Sequence, residues 1–291
     1  MTDMLFGINV PASAGPGADP LGDARRAEEL GFDFVSVSDH LHGKDPTHET
    51  WTLLTWIAAG TSRIRVASRV LAVPYRNPAV TAKMAATLDR LSGGRLILGL
   101  GGGYSDEEFR AFGLGAPSPR DKVDGMEEAI RIARGLWSER SFSFRGRRYG
   151  TDHAELEPKP DRRIPIWVGT YGDRALGATG RVADGWIPSL GFAPPARVPA
   201  MRERILASAR EAGREPEEIT CVYNLEVRVD DRVEEPDPSV VSGPPGVMAE
   251  RMVGFLELGF TAMNLMPVGP GLDEQAERLA REVIPEVRAA A

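Results

Sequence analysis

Short apolar runs and longer amphipathic stretches alternate along the chain. Most runs end at Gly, Pro, Asn, Asp or Ser, which indicates β-strands that stop at turns. The fourth run is almost continuously apolar, as is typical of a parallel strand that is covered on both faces. The pattern predicts eight strands, at Leu5–Val10, Phe32–Ser38, Ile64–Ala72, Arg95–Leu100, Ile164–Gly169, Gly185–Pro188, Thr220–Val229 and Phe260–Met266.

The stretches between the strands carry apolar residues three or four positions apart, as amphipathic helices do. One such stripe runs through Leu21–Leu30 and ends at Gly31, and the longest runs through Val123–Trp137. Strands that alternate with helices indicate parallel strands joined by right-handed crossovers. A closed (β/α)8 TIM barrel and an open, doubly wound sheet both fit. The eight units and the lack of an early GxGxxG motif favour the barrel, an α/β fold in which residues 1–291 form one domain.

Two segments interrupt the alternation. In residues 140–163, Ser141–Phe144 and Arg148–Tyr149 predict a small hairpin inserted between the fourth and fifth strands. Residues 230–245 are acidic and broken by prolines, which predicts a mobile loop after the seventh strand. Its place after a strand fits either a lid over the mouth of the barrel or a plain solvated loop.

Composition limits the possible partners. The chain is 42% hydrophobic and 26% charged, and its net charge of −7 disfavours nucleic acid. No apolar run reaches the roughly 18 residues that a membrane span needs, and the first residues carry no secretion signal. We therefore expect a cytoplasmic protein with no membrane partner. The single cysteine, Cys221, cannot form an internal disulfide and is expected to be buried in a strand.

Residues at the carboxyl ends of the strands carry function in this kind of fold. The second strand ends at Asp39-His40, and its alternation directs Ser36 and His40 inward and Val35 and Val37 toward the helices. His40 is therefore a candidate for the barrel mouth. The alternative is a rim histidine that Asp39 or a backbone carbonyl satisfies.

Three further observations bear on a ligand. On the first strand, Asn9 shares the inward face and adds a polar group to the mouth. His42 and His48 follow in the next loop, but no third ligand stands at a fixed spacing, so no metal site is predicted. The acidic run Asp106–Glu108 is explained most simply as the first turn of a helix, where carboxylates complement the helix dipole.

Two glycine turns are candidate binding loops. Gly101, Gly102 and Gly103 follow the fourth strand, and three consecutive glycines let backbone amides approach a ligand closely. The alternative is a tight turn. After the fifth strand, four residues lead into a helix whose first amides are a candidate phosphate site, unless Asp173 caps them. These four residues are Gly169, Thr170, Tyr171 and Gly172.

A set of motifs extends over nearly the whole chain in a specific order. They are SDH at Ser38–His40, PYRNP at Pro74–Pro78, LDRLSGGRLILGLGGGY at Leu88–Tyr104, EEFRAFG at Glu107–Gly113, PKP at Pro158–Pro160, IPIWVGTYGDRAL at Ile164–Leu176 and VADGWIP at Val182–Pro188. Together they resemble the luciferase-like monooxygenase superfamily, and within it the branch of deazaflavin-dependent (coenzyme F420) oxidoreductases.

The resemblance implies a barrel that binds the deazaflavin ring across its strand ends near Asp39 and His40. It also implies a non-prolyl cis peptide within Ser68–Val70, with the bond between Arg69 and Val70 as the first candidate. The two glycine turns, Gly101–Gly103 and Gly169–Gly172, would then hold the ribityl-phosphate arm. A homodimer is expected from the family.

One departure from the family affects the substrate. Sugar-phosphate dehydrogenases of this branch place an acidic glutamate where this chain has Tyr104, and a tyrosine with its ordinary pKa near 10 is a poor substitute. We therefore expect hydride transfer between F420 and a small organic substrate of unspecified kind, with His40 oriented by Asp39 and Tyr104 as a second candidate. The alternatives are an FMN-dependent monooxygenase and a non-catalytic flavin-binding barrel.

Overall fold

The structure is a computed structural model that describes residues 4–232 and 237–290. Its strands are β1 (Leu5–Asn9), β2 (Phe34–Val37), β3 (Arg65–Ser68), β4 (Leu71–Ala72), β5 (Leu96–Gly101), β6 (Phe142–Arg145), β7 (Gly150–Ala154), β8 (Ile166–Val168), β9 (Gly185–Trp186), β10 (Thr220–Val229), β11 (Val240–Gly243) and β12 (Ala262–Pro267). Its helices are α1 (Pro20–Leu30), α2 (Thr50–Gly60), α3 (Pro78–Leu91), α4 (Asp106–Ala111), α5 (Pro119–Ser138), α6 (Asp173–Val182), α7 (Val198–Glu211), α8 (Pro245–Glu257), α9 (Leu272–Arg278) and α10 (Ile284–Ala290).

Eight parallel strand positions close into a barrel. Their order is β1, β2, β3 with β4, β5, β8, β9, β10 and β12, and β12 pairs back onto β1. In this register Ile8 is opposite Val35 on one side and Leu265 on the other. Because β1 has a neighbour on both sides, the sheet is closed. The predicted (β/α)8 barrel is confirmed, and the open doubly wound alternative is excluded.

Large and small residues share the barrel interior. Phe34 is fully buried there and meets Trp167 edge-to-face, with ring centroids 5.4 Å apart. Gly7 on β1 makes room for this ring, because a Cβ at Gly7 would lie 2.1 Å from a Phe34 ring atom. Val35 and Val37 belong instead to the cluster between the barrel and the helices. The alternation predicted for the first two strands is confirmed.

The predicted hairpin insertion is present, displaced along the chain by a few residues. Strands β6 and β7 pair antiparallel between α5 and β8. The Glu128 carboxylate on α5 accepts hydrogen bonds from the backbone N–H groups of Arg147, Arg148 and Tyr149, at 2.6, 2.9 and 2.9 Å. One buried carboxylate thus fixes the turn, because it satisfies three donors that the hairpin leaves unpaired.

Two predicted segments differ in detail. The third strand is divided into β3 and β4 at Arg69–Val70, and the peptide bond between these two residues is cis, as the family resemblance implies. The mobile loop predicted for residues 230–245 extends too far, because Val240–Gly243 forms a strand parallel to β10. Val241 is fully buried there, so an apolar pair in a polar segment is enough to add a strand. Residues 233–236 of this segment lie outside the described residues.

Cys221 is buried on β10, as expected. Among the described residues, none of the helices combines the length and the apolar character that crossing a membrane requires.

Candidate active site

A cavity of about 580 Å³ opens at the carboxyl ends of the barrel strands. Its walls combine strand ends, the two glycine turns and the start of α4. The lining residues are Asp39, His40, Arg69, Val70, Ala72, Tyr75, Gly101, Gly102, Gly103, Tyr104, Ser105, Glu108, Gly169, Tyr171, Ile187, Ser189, Phe192 and Asn224. Most of the predicted site residues therefore meet in one place.

His40 projects into the cavity, but Asp39 is not its partner. The Nδ1 atom of His40 lies 2.9 Å from an Oε atom of Glu108 on α4, and 56% of the His40 side chain is exposed. An ionised carboxylate can only accept, so Nδ1 carries a proton, and in the neutral imidazole Nε2 is the acceptor. The prediction that Asp39 orients His40 is wrong, since Glu108 does so from 68 residues away.

Glu108 joins three groups in the cavity wall and was missed by the sequence analysis. Besides His40, it accepts a hydrogen bond from the Tyr75 hydroxyl and one from the Leu41 N–H at 3.3 Å. Burial raises its pKa, but these hydrogen bonds outweigh burial and hold the pKa below its ordinary value. The carboxylate is therefore ionised at neutral pH.

The sequence around Glu108 also matches a helix-capping motif. Ser105 caps α4 by accepting a hydrogen bond from the Glu108 N–H at 3.3 Å, so that the spacing Ser-x-x-Glu matches a capping box. In that motif the glutamate turns back to the cap. Here the carboxylate crosses to His40 instead, which a local pattern cannot distinguish.

Asp39 is held in a separate network. Its side chain is fully buried and forms a two-pronged ion pair with Arg76, at 2.9 Å on each arm, and it accepts the Ala72 N–H at 2.9 Å. Burial lowers the pKa of Arg76, but the carboxylates of Asp39 and Glu49 outweigh burial and raise it well above its ordinary value. Asp39 thus ties the end of β2 to the turn after β4.

The glycines of the first turn are explained by neighbours within the protein. A Cβ at Gly101 would lie 2.6 Å from Val70 Cγ2, and one at Gly103 would lie 2.1 Å from the Phe109 ring. Gly103 also has a φ of 90°, which favours glycine. Packing within the protein therefore explains these glycines, and the prediction that they are there to let a ligand come close is corrected. Gly101, Gly102 and Gly103 nevertheless all line the cavity.

Arg69 extends its guanidinium across the mouth toward β1. Its Nε donates to Asn9 Oδ1 at 3.2 Å, and none of the ion pairs within the described residues involves it. Burial lowers the pKa of Arg69, while Tyr171 and Glu226 oppose the shift. Ser68 beside it points away from the cavity, and its hydroxyl bonds both the N–H and the C=O of Gly99 at 2.9 Å.

The second glycine turn leads into α6 as predicted. Gly172 is the N-cap, and Asp173 is the first helical residue. The alternative that Asp173 caps the helix is therefore wrong. Gly169 and Tyr171 line the cavity, whereas Thr170 is buried and its hydroxyl bonds that of Thr179 at 2.8 Å. The backbone of this turn, rather than the Thr170 side chain, faces the mouth.

Three aromatic side chains, Tyr104, Tyr171 and Phe192, form what we call the aromatic rim. Phe192 lies between the other two, with ring centroids 6.2 Å from Tyr104 and 5.2 Å from Tyr171. Tyr104 is 80% exposed and Phe192 is 52% exposed. The position of Tyr104, predicted as a second catalytic candidate, is thus on the outer edge of the cavity.

A buried polar chain supports the cavity floor and was not foreseen beyond Ser36. The Ser36 hydroxyl donates to Asn264 Oδ1 at 2.9 Å, and Asn264 Nδ2 donates to Asn224 Oδ1 at 2.9 Å. Asn224 in turn lines the cavity and donates to the Ile187 carbonyl at 3.3 Å. Each amide in the chain is therefore held in one orientation.

The remaining histidines of the loop are exposed. His42 Nε2 lies 3.9 Å from a Glu107 carboxylate oxygen, and both side chains are solvated. Across residues 4–232 and 237–290, no group of three or more His, Cys, Asp or Glu side chains is arranged to hold a metal ion. The described residues of segment 230–245 do not contribute to the cavity lining.

Comparison with known proteins identifies related sequences. Residues 6–261 match the luciferase-like monooxygenase family. An F420-dependent glucose-6-phosphate dehydrogenase from Kineococcus radiotolerans is 37% identical over 201 residues, which are 65% of this chain and only 59% of that protein. Another, from Beutenbergia cavernae, is 32% identical over 311 residues, which cover 90% of this chain and 91% of that protein.

The fold is shared with a solved F420-dependent secondary alcohol dehydrogenase in complex with an F420-acetone adduct. The TM-score is 0.87, and the alignment covers 98% of this chain and 99% of that one at 22% sequence identity. At this identity the likeness concerns the architecture alone.

Proposed function

We propose that this chain, which belongs to the luciferase-like monooxygenase family, is an oxidoreductase that transfers a hydride between coenzyme F420 and a small organic substrate. The single observation that carries the proposal is the His40–Glu108 pair in the wall of the cavity at the barrel mouth. The names of the relatives from Kineococcus and Beutenbergia, both F420-dependent dehydrogenases, support the choice of cofactor.

The cavity fits a flat ring with a phosphorylated arm. Val70 lies against the side-chain-free faces of Gly101 and Gly169, where Cβ atoms would stand 2.6 and 3.5 Å from its Cγ2 atom. Together these three residues present a smooth apolar surface suited to a ring. Three residues beyond Gly169, Gly172 is the N-cap of α6, and a Cβ there would meet nothing within 4 Å, so this helix N-terminus has space for an anion.

We assign the binding residues on this basis. Arg69, Val70 and the turn Gly101–Gly103 contact the ring end, where Arg69 supplies a positive charge, and Asn9 acts through Arg69, from whose Nε it accepts a hydrogen bond. Gly169 borders the ring surface, and the backbone that continues from it to Gly172 at the start of α6 holds the phosphate arm, which leaves the Tyr171 ring in the aromatic rim. Ser68 and Thr170 act indirectly, because their hydroxyls fix the backbone beneath these contacts.

Bound F420 would accept the hydride in the oxidation of the substrate and donate it in the reduction. His40 handles the proton of the substrate: its free Nε2 takes the proton of a hydroxyl group in one direction and returns it in the other. The ionised Glu108 fixes the tautomer through Nδ1 and stabilises the imidazolium that forms.

Tyr75 and Tyr104 have different places in this scheme. Burial, followed by the hydrogen bond to Glu108, raises the pKa of Tyr75 well above its ordinary value, so its hydroxyl remains a donor to that carboxylate. Tyr104 is exposed on the aromatic rim and is better suited to contact a substrate than to protonate one.

Titration of the purified protein with F420 and with FMN, followed by fluorescence, tests the cofactor. We expect micromolar or tighter binding of F420 and much weaker binding of FMN, and anaerobic turnover with F420. Tight FMN binding with oxygen-dependent turnover, and none of F420, would establish the monooxygenase alternative. Binding without turnover of any alcohol or carbonyl compound would support the non-catalytic alternative.

Residues 1–291 form one domain in our proposal, and two such chains form a homodimer through the face around α2. Trp56 is 64% exposed there, beside a groove that includes Leu21 and Trp51. Light scattering during gel filtration is expected to give twice the 31.5 kDa chain mass. The variant Trp56→Lys is expected to shift the mass toward one chain, and an unshifted dimer would move the interface elsewhere.

We place the protein in the cytoplasm, in keeping with its net charge of −7 and its one buried cysteine. Fractionation of the source cells, with detection by antibody, tests this location. Recovery in the membrane or secreted fraction would contradict it.

A further inference from the structure

The cavity has little positive charge left for a substrate. Its charged lining residues are Asp39, His40, Arg69 and Glu108. Asp39 is already paired with Arg76, and Glu108 remains ionised beside His40. Arg69 is therefore the one guanidinium or ammonium group among the described lining residues, and the Arg197 guanidinium outside the lining donates to the Phe192 carbonyl at 3.4 Å. The undescribed residues, 1–3, 233–236 and 291, include no lysine or arginine.

This charge pattern suits a phosphorylated substrate poorly. A phosphate monoester carries a charge of about −1.5 to −2 at neutral pH and is usually held by several charge-assisted hydrogen bonds. Arg69 lies against Asn9, on the side of the cavity that we assign to the cofactor. The wall that remains presents the Glu108 carboxylate, which repels a second anion.

The aromatic rim supplies the opposite kind of surface. Tyr104, Phe192 and Tyr171 make a continuous row of rings along one edge of the cavity, and two of the three rings are more than half exposed. Exposed aromatic clusters of this kind commonly mark ligand-binding surfaces. Their faces suit an apolar or ring-shaped body.

We infer that the substrate is an uncharged alcohol with an apolar body, or the corresponding carbonyl compound, and that the aromatic rim selects it. The inference rests on the proposed function. In the oxidation, His40 Nε2 would take the hydroxyl proton, and bound F420 would accept the hydride from the carbon that bears the hydroxyl, which leaves a C=O bond. One proton and one hydride leave the alcohol, so the step balances.

A homologous series of alcohols tests the substrate class on the F420-loaded protein. F420 binding is first measured by fluorescence, and kcat and KM are then measured for 2-propanol, 2-butanol, 2-pentanol and 2-hexanol, with glucose 6-phosphate as the charged competitor class. Full burial of each added methylene would strengthen binding about fourfold. We expect KM to fall two- to fourfold per methylene, and kcat/KM for glucose 6-phosphate to be at least a hundredfold below that for 2-hexanol.

Phe192→Ala tests the aromatic rim, and Phe112→Ala is its matched control, since Phe112 is likewise about half exposed and lies outside the cavity lining. The rim variant is expected to raise KM for 2-hexanol at least fivefold, with KM for 2-propanol, kcat and the Kd of F420 all within twofold of wild type. The control variant is expected to leave all four values unchanged.

Different failures lead to different conclusions. If F420 does not bind, the proposed function is refuted, and the substrate class falls with it. If F420 binds but KM is independent of chain length, if no alcohol of the series is turned over, or if glucose 6-phosphate is preferred, the substrate class alone is refuted. An unchanged KM for 2-hexanol in Phe192→Ala, or an altered Kd for F420, would remove the rim from substrate selection.

Discussion

Asp39 and His40 are adjacent in the chain, yet they belong to networks of opposite character. The Asp39 side chain is fully buried and is saturated by Arg76 and the Ala72 N–H. More than half of the His40 side chain is exposed, and its partner Glu108 leaves one ring nitrogen free. The first network can only hold the structure together, whereas the second has an unused acceptor facing a cavity.

The alternation of a strand explains this division. Asp39 continues the parity of Val37, toward the helices, where Arg76 also meets the Glu49 carboxylate that caps α2. His40 continues the parity of Ser36, toward the barrel interior. Two neighbouring polar residues at the end of a strand therefore need not cooperate. Asp39 holds the end of β2 from the helix side, and His40 faces the cavity.

Replacement of His40 should give the largest effect on turnover. His40→Gln removes the proton acceptor and is expected to lower kcat by about a hundredfold to ten-thousandfold, the range for loss of a general base. His42→Gln is the matched control, because His42 is a solvated histidine two residues away, and it should remain within twofold of wild type. Steady-state kinetics at saturating F420 give both values.

The His40 variant should otherwise behave as wild type. Since the imidazole is more than half exposed, we expect the midpoint of thermal unfolding and the Kd of F420 to change little. Turnover at the wild-type rate, with intact F420 binding, would exclude His40 from the reaction.

The Asp39 network should respond in stability instead. Asp39→Ala leaves the Arg76 guanidinium with only Glu49 as its carboxylate partner, in a setting that is largely buried. Breaking a buried pair costs about 3–5 kcal/mol, and the remaining pair with Glu49 favours the lower end of that range. Urea unfolding of the apoprotein measures the loss.

A double variant distinguishes loss of the ion pair from loss of packing. Asp39→Ala combined with Arg76→Met removes both charges, and it should recover part of the free energy of unfolding. A single Asp39→Ala variant with normal stability and a kcat as low as that of His40→Gln would reverse the roles that we assign to the two residues.

These two networks also mark how far the sequence could lead. Strand alternation correctly directed His40 inward and Val37 outward, because a period of two depends only on local backbone geometry. The partners could not be predicted in the same way, since Arg76 and Glu108 lie 37 and 68 residues further along the chain. Adjacency suggested a pair, and the actual pairs depend on how separate strand ends meet.

The family resemblance recovered what local patterns could not. It correctly located the cis peptide at Arg69–Val70, which no propensity indicates. It also directed attention to Tyr104, whose side chain lies on the outer edge of the cavity. The carboxylate of the site is instead that of Glu108, a residue whose position in the sequence was explained equally well by a helix cap. A resemblance carries over positions, and the contacts still have to be read from the structure.

Glu108→Gln should have an intermediate effect on turnover. The amide lacks the charge that stabilises the imidazolium, so we expect kcat to fall by about tenfold to a hundredfold while KM changes less than threefold. Glu107→Gln is the matched control, because Glu107 is the neighbouring glutamate and its side chain is 82% exposed. Equal losses in both variants, or a change confined to KM, would contradict the role of Glu108.

The smallest effect should come from the hydroxyl of Tyr75. Tyr75→Phe removes one donor to Glu108 and leaves the carboxylate less satisfied, at an expected cost of about 1.5 kcal/mol at pH 7. The lost hydrogen bond should also let the pKa of Glu108 rise toward its ordinary value of 4.5. Turnover should fall only a few-fold, because His40 keeps its partner.

The loss of stability in Tyr75→Phe should depend on pH. A carboxylate whose pKa is depressed in the folded state stabilises the fold above its unfolded pKa, and this stabilisation is lost as the pH falls through the folded pKa. The depression is larger in the wild type than in Tyr75→Phe. The difference in unfolding free energy between the two proteins should therefore be greatest at pH 7 and should shrink below about pH 4.5. Urea unfolding at several pH values measures it, and a difference that stays constant with pH would mean that the Tyr75 hydroxyl stabilises the fold without acting through Glu108.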